Sequence, residues 1–149
     1  MGQVTASAHA TIAAPADVTF GLIADAAQRP KFVPDSFSGF EVLSGGVGAG
    51  TVHKFDFQAP SRPVRSYVME VSEPEPGKVL VETDRNSSLV TRFTVTPQGQ
   101  QCQVEITTTW KGAGGIGGFF EKTFAPKALR GIYADELTRL DAYARTVAG

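Results

Sequence analysis

Few residues in this chain could carry chemistry. Among 149 residues there are two histidines, one cysteine and one tryptophan. His53 shares one side of an alternating stretch with Thr51, Phe55 and Phe57, while Val52, Lys54, Asp56 and Gln58 take the other. If the phenylalanine side faces inward, His53 points into the interior as a general acid or base, since a free imidazole titrates near about pH 6.5. The plainer reading is a satisfied histidine near a strand end. Arg65 and Tyr67 share a side with Met69 and Val71. Facing inward, Arg65 would anchor a carboxylate or phenolate and Tyr67 would donate a hydrogen bond. The opposite side, Val64, Ser66, Val68 and Glu70, is nearly as suited to burial, so the pattern leaves two facings open. In the second, Arg65 lies at the surface and Tyr67 only packs.

The remaining polar groups point to structure. Cys102 and Trp110 begin and end one apolar face. Without a histidine at readable spacing, Cys102 reads as an inert buried thiol, and Trp110 as packing or as a wall of a pocket. Two histidines and one cysteine make no zinc spacing, so no metal site is expected. His9 falls on the polar face of its stretch. Glu82 and Asp84 share a face, and such pairs are expected on the solvated side of a strand. Gly114 to Gly118 lacks the lysine and threonine of a phosphate loop, and no strand–helix context supports a dinucleotide site. No cofactor is expected.

Those residues need elements to hold them. Val4, Ala6, Ala8, Ala10 and Ile12 alternate with Thr5, Ser7, His9 and Thr11, which predicts a strand with a buried face made mostly of alanine. Small inward side chains leave volume for another element or a ligand to fill. Pro15 opens a helix with Asp17 in its first turn, ending near Asp25 or Ala26. Pro30 and Pro34 limit any second helix to one or two turns. Six strands follow, near Phe40 to Ser44, Thr51 to Gln58, Val64 to Ser72, Lys78 to Asp84, Ser88 to Thr96 and Cys102 to Lys111. Their short glycine- and proline-bearing links imply an antiparallel meander. After the glycine-rich link, Phe120, Phe124, Leu129, Ile132, Tyr133, Leu137, Leu140, Ala144 and Val147 mark a long amphipathic helix. Pro126 and Gly131 are expected to kink it or break off its first turns. It is the only element long enough to cover the sheet.

Composition narrows the class. The chain is 42% hydrophobic and 19% charged, and fourteen Lys and Arg face fifteen Asp and Glu. That is a globular chain of one-domain length, expected as a single domain over 1–149. It lacks the basic footprint of a nucleic-acid binder. No run of 18 apolar residues is present, so no integral membrane association is expected. No signal peptide is expected from the first residues, which carry no basic segment or long apolar run. One cysteine permits no intrachain disulfide, which fits a cytoplasmic location. Nothing in the sequence fixes the oligomeric state.

The order of these parts resembles a known superfamily. Ile12-Ala13-Ala14-Pro15-Ala16-Asp17-Val18 leading to Asp25 and Phe32-Val33-Pro34 is similar to the start of START-related helix-grip proteins, the SRPBCC superfamily, and in particular its polyketide cyclase/dehydrase-like group. Val71 with Pro74 to Gly77, Val79-Leu80, Gly114 to Gly118 and Ala134 to Leu140 continue the likeness over nearly the whole chain. It implies an α+β helix-grip fold, in which a bent antiparallel sheet of about seven strands wraps a long C-terminal helix. One or two short helices follow the first strand. It also implies a hydrophobic ligand, such as a lipid, polyketide or quinone, between sheet and helix. It supplies no catalytic motif to carry over residue by residue.

The expected pocket is lined by Ala8, Phe55, Phe57, Met69 and Phe93 from the sheet, with Ile106 and Trp110. Phe120, Phe124 and Ile132 line it from the helix side. Three functions fit: a binder of a hydrophobic small molecule; a cofactor-independent polyketide cyclase/aromatase or dehydratase using His53, Tyr67 and Arg65; and an interaction protein with a vestigial pocket.

Overall fold

The computed structural model describes residues 3–111 and 125–149. Seven strands form one antiparallel sheet. They are β1 (Gln3–Ile12), β2 (Phe37–Ser44), β3 (Val52–Phe57), β4 (Arg65–Glu75), β5 (Val79–Asp84), β6 (Val90–Gln98) and β7 (Gln101–Lys111). Helix α1 (Ala16–Ala24) and a 3-10 helix (Ala26–Lys31) follow β1, and helix α2 (Ala125–Ala148) ends the chain. The sheet order is β1-β7-β6-β5-β4-β3-β2. β2 through β7 are a meander of hairpins, and β1 returns to pair with β7 from Gln3 opposite Lys111 to Ile12 opposite Cys102. This is the helix-grip arrangement, with the bent sheet wrapping the last helix.

Local chemistry explains most boundaries. The β6–β7 hairpin closes Gln98 against Gln101, and Gly99 takes φ 67° in the two-residue turn, a conformation that tight hairpin turns require and that glycine supplies without strain. β4 runs on to Glu75 through Pro74, past the end expected at Ser72. A register shift between Ser72 and Glu75 accommodates the proline, because an irregular position needs no ladder hydrogen bond from it. β2 likewise begins three residues earlier than expected, at Phe37. Pro126 is the second residue of the helix as described, where a missing N–H leaves no bond unmade; the turns expected before it lie outside the described residues. Gly131 is absorbed inside, and the helix runs 24 residues, about 36 Å at the standard rise.

The packed core occupies one end of the space between sheet and helix. Ile12, Val95, Cys102, Val104, Leu137, Leu140 and Ala144 are almost completely buried there. α1 caps this end with Phe20, Leu22 and Ile23. Leu137, Leu140 and Ala144 recur at three- and four-residue spacing, so α2 lays one apolar face along this core. The described residues do not fill the other end, toward the start of α2, in this way.

Candidate functional site

At that other end lies a cavity of about 620 Å3. Phe37 on β2, Phe55 and Phe57 on β3, and Tyr67 and Met69 on β4 form one wall; Trp110 on β7 and Leu129 and Tyr133 on α2 line it too. Aromatic contacts fix the wall. The Phe37 ring lies 5.6 Å edge-on from Phe55 and 4.9 Å from Phe57, Phe40 stacks on Phe55 at 5.4 Å, and Tyr67 lies 5.8 Å from Phe55. Such ring pairs are worth about 0.5–1.5 kcal/mol each beyond their burial. Alternation puts these rings on one side of β3 and β4, since the register pairs Phe55 with Tyr67 and Phe57 with Arg65. Of the two facings left open, this one turns Tyr67 inward, half-buried, while Arg65 at the start of β4 is exposed at the cavity's edge. Met69 and Val71 on the same face are buried, and Arg65 and Tyr67 both line the cavity.

Behind this wall sits a buried charged cluster. Glu82 on β5 is 2% exposed, Arg29 on the 3-10 helix 5%, and His53 on β3 2%. Arg29 donates to both Glu82 oxygens, Nη2 to Oε2 at 2.7 Å and Nη1 to Oε1 at 3.2 Å. It also donates from Nη2 to the Ile23 carbonyl at 3.2 Å, and its guanidinium lies 4.9 Å from the Phe93 ring centre. His53 Nε2 is 3.0 Å from Glu82 Oε2. Burial alone would raise the Glu82 carboxyl, but the Arg29 charge and the His53 and Arg29 hydrogen bonds outweigh it and hold it at about 2. Burial likewise works against the charge on Arg29, and Glu82 overcomes it, leaving the guanidinium above its ordinary value.

The 3-10 helix delivers Arg29 because its start is fastened. The Asp25 side chain accepts from Ala27 N at 3.1 Å, an Asx cap. Ala26 N donates to the Gly46 carbonyl at 2.9 Å and Gly48 N to the Ala24 carbonyl at 2.9 Å, tying the helix junction to the β2–β3 loop.

A second polar group flanks the cavity. Thr91 on β6 and Thr108 on β7 share a 2.7 Å hydrogen bond, and the Thr108 hydroxyl also bonds the Tyr133 hydroxyl. Burial raises the Tyr133 phenol above its ordinary value, opposed by the Thr108 hydrogen bond. Glu136, one turn along α2 from Tyr133, is 3% exposed. Burial is the main cause that pushes its carboxyl up to about 7; the Glu82 charge adds to it and Arg29 opposes it. Glu136, Glu82, Arg29, Phe93, Thr91 and Tyr133 border a narrow cleft of about 30 Å3 beside the cavity.

The expected pocket residues divide accordingly. Phe55, Phe57, Met69 and Trp110 line the cavity, and Phe93 lines the cleft. Ala8, Ile106 and Ile132 line neither: Ile106 is sealed in the core at 1% exposure, and Ala8 and Ile132 pack against it. The helix, not a ligand, fills the volume beside the alanine-faced strand. Phe120 and Phe124 lie outside the described residues. His53 faces inward but lines neither space, because Phe55 and Phe57 stand between it and the mouth and Glu82 holds its ring. Glu82 and Asp84 are buried, not solvated. Asp84 accepts from Val68 N at 3.0 Å and from Ser87 Oγ at 2.6 Å.

Sequence reasoning missed Arg29, Tyr133's hydroxyl and Glu136. For Glu136 a signal existed: it falls beside Leu137 on the stripe of Tyr133, Leu137 and Leu140. Arg29 left none, because a proline-bounded turn carries no period. Among the described residues no group of three His, Cys, Asp or Glu side chains could hold a metal ion, and no helix is long and apolar enough to cross a membrane.

The bent sheet and gripped helix define a START-like fold. Comparison with solved structures agrees. The KanY protein (ms6282) is 42% identical, with a TM-score of 0.85 over 97% of this chain and 99% of that one. An aromatase/cyclase, Zhui, from a Streptomyces species gives a TM-score of 0.77 at 14% identity, covering 97% of this chain and 94% of that one. A START superfamily protein from Mycobacterium smegmatis gives 0.75 at 15% identity, covering 98% and 99%. No curated protein sequence matches significantly. The chain belongs to the family described as polyketide cyclase / dehydrase and lipid transport, whose model matches residues 1–145.

Proposed function

We propose that this protein binds an elongated apolar small molecule, lipid, polyketide or quinone-like, in the cavity between β3–β4 and the start of α2. The observation that carries this reading is a space of about 620 Å3 walled by Phe37, Phe55, Phe57, Met69 and Trp110. Ligand sites of drug-sized molecules span about 300–1,000 Å3 with mostly apolar linings and a few polar groups. The same volume weighs against a vestigial pocket in a pure interaction protein. The polar side chains around it include Arg62, Arg65, Tyr67, Asn86, Thr91 and Lys111. Native mass spectrometry of gently purified protein is expected to show a stoichiometric apolar passenger. Ala128→Trp, which projects an indole from α2 into the cavity, should remove the passenger while circular dichroism is unchanged. An unaltered passenger load in that variant would count against the reading.

A second reading, a cyclase or dehydratase, is favoured by one observation: Arg65 and Tyr67 reach the cavity beside its apolar wall. The aromatase/cyclase of the same fold supports it by analogy. Under it, Tyr67→Phe lowers turnover of a linear poly-β-ketone thioester by roughly 10²–10⁴ at unchanged binding. His53, held behind the wall by Glu82, would enter only through that carboxylate, so His53→Ala should alter stability more than turnover.

A further inference from the structure

The narrow cleft contains a carboxyl group that the fold itself does not use. Thr91, Thr108 and Tyr133 satisfy one another, and Arg29 pairs with both Glu82 oxygens through its two Nη atoms, leaving only its Nε without a partner. Among the described residues the Glu136 carboxyl has no hydrogen-bond or ion-pair partner; only burial and through-space charges act on it. Buried polar groups are nearly always hydrogen-bonded, so such an exception calls for an explanation. The cleft has room for about one water molecule or one ligand oxygen. Phe37, Phe55, Met69, Thr91 and Tyr133 border both the cleft and the large cavity, so a ligand filling the cavity ends beside Glu136.

We propose that this cleft is a polar subsite in which Glu136, as a neutral carboxylic acid, donates a hydrogen bond to a carbonyl oxygen at the inner end of an otherwise apolar ligand. The inference rests on the apolar-cavity reading and deepens it, naming ketones, aldehydes and quinones as the ligand class. The surroundings select a carbonyl over an ammonium group. The Arg29 guanidinium borders the same cleft and repels a cation, and burial keeps Glu136 protonated up to about pH 7. A protonated carboxyl has one O–H to give.

The titratable groups facing Glu136 are Arg29 from the 3-10 helix, Glu82 from β5 with His53 from β3 behind it, and Tyr133 from its own helix. β1, packed along the same helix, turns its one histidine, His9, to solvent. Glu82 stays ionised and Tyr133 stays neutral around pH 7, so over that range Glu136 is the carboxyl of the cleft that changes charge.

The test compares 2-acetylnaphthalene with 2-ethylnaphthalene, probes of similar shape that differ in a carbonyl, by fluorescence titration at pH 5.5 and pH 8.5. The preference for the ketone over the hydrocarbon should fall by about tenfold at the higher pH, as the donor is lost. Glu136→Gln, which keeps an N–H donor at every pH, should show one preference at both. A wild-type preference independent of pH overturns the subsite, and so does a Glu136→Gln protein with the wild-type pH dependence. Tight binding of the hydrocarbon alongside either result leaves the apolar cavity standing. Binding of neither probe overturns both readings.

Discussion

Replacing Arg29 with methionine keeps most of the side chain's volume and removes its charge. Glu82 is then left 2% exposed, with only His53 Nε2 at 3.0 Å beside it. The bonds lost are those at 2.7 and 3.2 Å to Glu82 and at 3.2 Å to the Ile23 carbonyl. Removing one partner of a buried pair costs about 3–5 kcal/mol, because the other charge stays buried without compensation. With a urea m-value of about 2 kcal/mol/M, the midpoint at pH 7 should drop by about 2 M. Acid unfolding supplies a second readout. The folded Glu82 carboxyl sits at about 2, below its unfolded value of 4.5. Its contribution is therefore complete above about pH 4.5 and is lost as pH falls toward 2. Arg29→Met removes the main lowering cause, so the loss of stability between pH 4.5 and 2 should flatten. The double variant Arg29→Met/Glu82→Leu should recover much of the midpoint, since two apolar groups replace the pair. A single variant within about 0.5 kcal/mol of wild type, or a double variant no better than the single, would refute the account of this cluster as an obligatory charge pair.

Further outcomes follow from the same geometry. Glu136 has the opposite sign to Glu82: its folded carboxyl, at about 7, lies above the unfolded 4.5. The fold should lose roughly 3 kcal/mol as pH rises from 4.5 through 7, a loss absent in Glu136→Gln by urea titration across that range. Tyr133→Phe removes the hydroxyl that meets Thr108, whose bond to Thr91 persists; a destabilisation of about 1 kcal/mol by thermal melting is expected. Burial pushes the Cys102 thiol up, against an opposing contact from Thr19, and the residue is fully buried. A thiol-reactive disulfide should leave the native protein unlabelled at pH 8 and modify it rapidly in urea. Ala8→Phe should destabilise by overpacking, typically about 1–3 kcal/mol, with no loss of cavity binding, since Ala8 packs on the core and not on the cavity.

Much of the fold was legible because it depends on short-range periodicity. Alternation from Val4 to Ile12 and from Cys102 to Trp110 determined β1 and β7, turn chemistry separated the hairpins, and the stripe of Tyr133, Leu137, Leu140 and Ala144 determined α2. The inward placing of Phe55 and Phe57 followed from the same period. Which face of β4 looks inward did not, because Val64, Ser66, Val68 and Glu70 alternate as plausibly as Arg65, Tyr67, Met69 and Val71. The register against β3 decided it, opposing Phe55 to Tyr67. Glu82 is the clearest limit: its neighbours Val79 to Val81 are buried on both faces, so no alternation distinguished a buried carboxylate from a solvated one. Its burial depends on Arg29, 53 residues earlier, arriving on a proline-bounded turn. Periodicity reports how one element meets its surroundings. The compensation of a buried charge, and the gap left between sheet and helix, arise only where distant elements meet, and those were decided by the tertiary structure.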